Sequence, residues 1–246
     1  LRGSAPYDES GGQATFRGSR PRVQSQEKVC VSVSLPRQPR PPGGWPVIVF
    51  AHDLGGHFRT AITSGLAQQL TAEGWAVIGY DGVLHGARFG TTNVPSIEQL
   101  AERLYDLNRP GFLRDQSIQG MVDLHALVRF IVEGDLAITG TRVEFDHSKL
   151  TLVGHGLGGE YAVPFLAYEP LVQAAILSNV GGSMVDTLRL MREPRPLGAE
   201  LALGLGSSNV TAMHPALQLI QTWLDPRDPQ NYGGRLRTPP ENVNRK

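Results

Sequence analysis

The sequence predicts an α/β fold, a mostly parallel sheet with helices on both faces. Three observations predict it. Short continuous apolar runs recur at 47–51, 76–80, 150–153 and 174–177, as expected of strands covered on both sides. Segments with helical apolar spacing lie between them, which is the alternation of a parallel sheet. A glycine-rich turn, Gly154-His155-Gly156-Leu157-Gly158-Gly159, joins one run directly to a helix.

Taken in order, residues 1–27 are polar and form an irregular segment with an edge strand expected near 14–17. Residues 28–246 form the main domain. Residues 28–35 alternate with the period of a half-buried strand. Within that run Cys30 reads as a buried small hydrophobe rather than a reactive thiol. Residues 36–46 hold five prolines and two glycines, the composition of an exposed loop. After the strand at 47–51 comes a helix at 60–73, stopped by Gly74. The strand at 76–80 leads into a long irregular stretch, 83–116. Such a length implies short helices of its own and a covering role over a site.

Ser117 is positioned to cap a helix at 118–133, which is apolar on most sides and so largely buried. The strand at 150–153 is followed by a helix at 157–167, with a bend or break expected at Pro164. The strand at 174–177 and helices at 184–192 and 213–224 complete the pattern.

Bulk properties exclude several classes of function. The 246 residues are enough for a sizeable core. Lys plus Arg equals Asp plus Glu at 23 each, so nothing suggests a nucleic-acid partner. No apolar run reaches the roughly 18 residues of a membrane span. One cysteine permits no intrachain disulfide. The first residues show no signal-peptide pattern, and the compartment stays open.

The chemistry sits at the ends of the apolar runs. His52-Asp53-Leu54-Gly55-Gly56 follows the first, Tyr80-Asp81-Gly82-Val83-Leu84-His85-Gly86 ends the second, and Val153-Gly154-His155-Gly156-Leu157-Gly158-Gly159 ends the third. A strand, a tight turn and a helix in the last case match the frame of a nucleophile elbow, G-x-S-x-G, with glycine in place of serine.

In this order the three segments resemble the α/β-hydrolase superfamily over roughly residues 28–240. Within it they are similar to bacterial secreted or virulence-factor lipases and carboxylesterases. There one expects HGTGG, then Y-D-G-x-L-H-G, then GHSQGG. Leu113-Arg114-Asp115-Gln116 and the segment 225–232 are also similar to that group.

The resemblance implies a carboxylic-ester hydrolase working by serine acyl transfer, on a small-molecule ester or acyl substrate, without cofactor or metal. It makes Gly156 a vacant nucleophile position. The oxyanion hole would be the backbone N–H groups of Leu54 and Leu157. His52, Gly154, His155, Gly158, Asp81 and His85 would support the two loops. Asp53 stands where the group has glycine, and its carboxylate would repel a developing oxyanion if it pointed inward.

The stretches 83–116 and 181–212 would shape the substrate pocket. The resemblance also implies a secreted or cell-envelope location. The superfamily's last two strands supply the catalytic acid and then the histidine. This chain ends at Lys246, after Pro239-Pro240, with neither assignable. A further C-terminal segment or a second chain is therefore expected to complete the fold.

Glycine at 156 tolerates strained backbone while removing the Oγ. Loss of a triad nucleophile costs on the order of 10⁶ in kcat in the subtilisin example, so the chain as written is expected to be inactive. Gly156 is either an introduced change or a natural loss. The competing reading is a catalytically inactive module that binds a ligand or a partner.

Blander readings stand beside each residue. The turn at 154–159 could be a plain glycine turn, and Leu157 a helix N-terminus with generic anion affinity. His125 reads as a satisfied core histidine, and Asp225 and Asp228 as turn formers. Ser178 and Ser183 lack an elbow and are weak replacement nucleophiles. A metal cluster of His52, Asp53, His57, Asp81, His85 and His155 lacks any supporting ligand spacing.

Overall fold

A computed structural model of the chain describes residues 14–18, 20–24, 26–89, 95–138, 140–208 and 210–237. The beginning of the N-terminal segment and Pro239-Pro240 lie outside the described residues.

The strands are β1 (Phe16–Arg17), β2 (Arg20–Pro21), β3 (Val31–Ser34), β4 (Trp45–Ala51), β5 (Ala76–Tyr80), β6 (Ala137–Ile138), β7 (Thr141–Arg142), β8 (Phe145–His155) and β9 (Ala174–Ser178). The helices are α1 (Thr60–Thr63), α2 (Leu66–Ala72), α3 (Ile97–Leu104), α4 (Pro110–Glu133), α5 (Leu157–Leu166), α6 (Met184–Leu190), α7 (Leu197–Gly204), α8 (Pro215–Leu224) and α9 (Gly233–Arg237).

The main sheet has the order β3-β5-β4-β8-β9, with β3 antiparallel and the rest parallel. Helices cover both faces, as the alternation predicts. On one face Val47, Val49, Ala51, Ile78, Leu150 and Leu152 belong to the large core shared with α4 and α5. On the other, Phe50 and Val77 meet Ala61 of α1 and Ala67 of α2 in a smaller cluster. Successive strand residues point to opposite faces, so a run buried on both sides must be apolar throughout.

Several local expectations need correction. The strand near 14–17 exists as β1, but it pairs only with β2, in a separate two-stranded sheet. Cys30 is exposed rather than buried. It lies just before β3, whose edge position leaves all four of its residues only half-buried. Partial burial and the Asp81 carboxylate push the Cys30 thiol up, away from thiolate character.

The helix at 60–73 is two helices, because the chain turns left-handed at Gly65 (φ +80°). Ser117 is no cap. Helix α4 begins at Pro110, whose missing N–H costs nothing in the first turn, and Ser117 is buried in its interior. Helix α4 is also less buried than expected, since Val122 and Phe130 reach solvent. Pro164 does not break α5, which runs unbroken through Leu166.

Strand β9 forms one edge of the sheet. All five of its residues are exposed, with Ile176 at 62%. Among the described residues it pairs only with β8.

Candidate active site

The parallel register sets the site. Ala51 of β4 is level with Gly154 of β8, and His155 is level with Ser178 of β9. All three strands therefore end at the same sheet edge. The loop after β4 meets the turn between β8 and α5 there.

That turn is tight, with a positive φ at its centre. Gly156 has φ +49° and ψ −119°, a conformation that costs a non-glycine residue about 1–3 kcal/mol. Its N–H donates to the Ser178 carbonyl at 3.0 Å. Helix α5 then approaches β4 so closely that a Cβ on Gly158 would stand 2.5 Å from the carbonyl oxygen of His52 and against the Ala51 carbonyl. A Cβ on Gly154 would lie 2.9 Å from Cα of Gly159. Both glycines occupy positions where strand and helix backbones touch. His155 points to solvent.

The two amides predicted to form an oxyanion hole do converge, and on a single atom. The Leu54 N–H donates to Oδ1 of Asp53 at 2.7 Å, and the Leu157 N–H donates to the same oxygen at 2.8 Å. Asp53 points inward. Its carboxylate also takes the space that a side chain at 156 would need, because a Cβ built on Gly156 falls onto the Asp53 carboxyl group.

His52 and His85 hold the flanking loops through backbone contacts. Nδ1 of His52 donates to the Asp53 carbonyl (2.8 Å), and its Nε2 accepts from the Gly82 N–H (3.1 Å). Nδ1 of His85 donates to the Val83 carbonyl (2.8 Å), and its Nε2 accepts from the Gly55 N–H (3.2 Å). These partners fix both rings as neutral Nδ1–H tautomers. Burial lowers the pKa of both, that of His85 to about 3, with the adjacent His52 adding to the effect. The two rings stack edge-on at 4.8 Å.

Asp81 is buried and accepts from the Phe58 N–H at 2.8 Å, while Arg88 reaches its carbonyl at 3.1 Å. Ser183 caps α6 through the Asp186 N–H. Among the described residues, no group of three or more His, Cys, Asp or Glu is placed to hold a metal ion.

A cavity of about 670 Å³ opens over Gly156 and Leu157. The stretch 83–116 contributes Ile97, Glu98 and Tyr105 to its walls, and 181–212 contributes Thr187, Met191 and Pro194. Asn179, at φ +54° just beyond β9, also lines it.

Under the cavity lies an ion pair not anticipated from the sequence. Glu160 of α5 is buried and accepts from Nη2 of Arg227 at 3.0 Å, and Nη1 of Arg227 donates to the Leu113 carbonyl at 2.9 Å. Burial raises the Glu160 pKa, Arg227 opposes that, and Asp53 adds to it. Asp228 caps the turn at Pro229–Asn231, as a turn former should. It is also fully buried, accepting from the Met184 N–H at 3.0 Å.

The segment 225–232 therefore pins α5 to α6. The acidic residue one turn past the elbow was the available signal for this pair. Its arginine, 67 positions away, could not be matched without the fold. His125 is satisfied by Glu169 (3.0 Å) and packs on Phe165, but it is half-exposed rather than in the core.

No family model matches the chain, and no curated protein sequence does. Solved structures do. An acetyl xylan esterase from Paenibacillus sp. R4 aligns with a TM-score of 0.55 at 16% identity, covering 85% of this chain and 61% of that one. The BES protein from Bacillus cereus aligns at 22% identity with a TM-score of 0.42, covering 62% of this chain and 56% of that one. A carboxyl esterase from Bacillus coagulans aligns at 18% identity with a TM-score of 0.40, covering 72% and 46%. The chain spans about three fifths or less of the length of these structures. Its fold is that of the α/β-hydrolases. No helix among the described residues is long and apolar enough to cross a membrane.

Proposed function

We propose that the chain carries the site of a carboxylic-ester hydrolase acting by serine acyl transfer, with its nucleophile position vacated at Gly156. One observation carries this reading. Two backbone amides, from Leu54 and Leu157, point at one atom beside a strained strand-to-helix turn at the floor of a cavity. Two preorganised donors are what a developing oxyanion needs. A serine at 156 would attack the carbonyl of a small-molecule ester, with those amides receiving the oxygen. The base and its orienting acid would come from chain outside these residues. The exposed edge of β9 is where a further segment or a second chain would pair.

A second reading is favoured by Asp53. A carboxylate already holding both amides leaves no room for an oxyanion and repels one. On this reading the chain is an inactive hydrolase fold used for binding.

The test is a pair of variants in the full-length gene product. Gly156→Ser alone keeps the Asp53 carboxylate in the way and is expected to remain inactive on p-nitrophenyl acetate. Gly156→Ser combined with Asp53→Gly is expected to gain turnover. A folded double variant without turnover would sink the hydrolase reading and leave the binding one.

A further inference from the structure

We propose that the cavity over Gly156 is a binding site for a small primary alkylammonium ion. This needs the cavity but no nucleophile, so it stands apart from ester hydrolysis.

The first observation is the sign of the charge. Asp53, Glu98, Glu160 and Glu193 line the cavity, and among the described residues no Lys, Arg or His does. Glu160 is matched by Arg227. The arginines of the neighbouring wall segments are engaged elsewhere. Arg189 pairs with Asp186 at 2.9 Å and Arg195 with Glu200 at 2.7 Å. Arg192 is exposed and does not line the cavity. The Leu54 and Leu157 amides, which would attract an anion, are already taken by Oδ1 of Asp53. Oδ2 of the same carboxylate has no hydrogen bond among the described residues. An anion entering the cavity meets uncompensated carboxylates, whereas a cation finds a counter-ion at the floor.

The second observation is independent of charge. Tyr105 is only 3% exposed and lines the cavity, yet its hydroxyl has no hydrogen-bond partner among the described residues. Burial, and then the Glu160 carboxylate, raise its pKa, with Arg227 opposing. The group therefore stays a neutral phenol whose oxygen can accept and whose proton can be donated. Tyr105 lines the same cavity as Asp53 and Glu160. A primary ammonium held in the cavity would donate to Oδ2 of Asp53 and to the Tyr105 oxygen. Its alkyl tail would lie along Leu54, Ile97 and Met191.

The experiment is isothermal titration of the unaltered chain at low salt with n-hexylammonium, n-hexanol and hexanoate, which share one tail and differ in charge. Hexylammonium is expected to bind at least tenfold more tightly than hexanol, with hexanoate weakest. The preference should shrink as NaCl is added. Asp53→Asn keeps the shape and is expected to erase the preference for the ammonium over the alcohol. Tyr105→Phe should weaken hexylammonium several-fold. Equal binding of the three probes, or binding of none, overturns the proposal on the parent chain alone, whatever the variants do to folding. A folded Asp53→Asn that keeps the full preference overturns it as well.

Discussion

The amide of Leu157 donates to Oδ1 of Asp53 at 2.8 Å across 104 residues of sequence, closing the space between the β4 loop and the first turn of α5. The bond does two things. It satisfies a helix N-terminal N–H that would otherwise need a cap, since Gly156 has no side chain to provide one. On the proposed hydrolase reading it also fills the position a substrate oxygen would take.

Removing that carboxylate should expose an anion site. Asp53→Ala leaves the Leu54 and Leu157 amides without their acceptor, at a cost of about 1–3 kcal/mol. Acetate should then raise the Tm of the variant by linkage and leave the parent unaffected. Thermal melts across an acetate series, set against chloride at equal ionic strength, check this. An identical response in both proteins contradicts it.

The contact between α5 and β4 leaves no space for a methyl group. A Cβ on Gly158 would meet the carbonyls of Ala51 and His52, which are backbone and cannot swing aside. Gly158→Ala is therefore expected to destabilise the chain by about 1–3 kcal/mol, the usual cost of overpacking. Urea unfolding measures it, and a midpoint within error of the parent would show that the two elements separate freely.

Acid should loosen the two loops through their histidines. Folded pKa values of His52 and His85 lie below the ordinary histidine value, because the buried rings serve as neutral bridges. The unfolded chain thus binds more protons as pH falls below about 6.5, and stability drops with it. For His85 the loss continues down to a pH of about 3. His85 contributes a slope of up to about 1.4 kcal/mol per pH unit in that window. His85→Gln, which cannot titrate, should flatten the decline between pH 6 and 4. A variant with the parent's slope would place the acid sensitivity elsewhere.

Much of this site can be read from the residues. The apolar runs at 47–51 and 150–153 fix β4 and β8 because a strand buried on both faces has no polar positions to spare. Gly154, Gly156 and Gly158 mark a turn where backbone must pass backbone. His52 and His85 each follow a strand with the short loops that let a ring reach main-chain groups. Cys30 and the segment 60–73 depart from the sequence expectation for a common reason. Burial and continuity at those points depend on edge position and on one backbone angle, and neither leaves a periodic signal.

By itself the sequence determined the layered α/β architecture and the glycine turn at 154–159, since both follow from local patterns of apolarity and glycine. Only the tertiary structure decided what lies against that turn. Whether Asp53 points out to solvent or in to the Leu157 amide depends on the register that brings the ends of β4 and β8 together. The pairing of Glu160 with Arg227 and the open hydroxyl of Tyr105 likewise arise from elements far apart in the chain. Hydrogen bonds and charges act through space, and their partners are fixed only once the sheet has assembled.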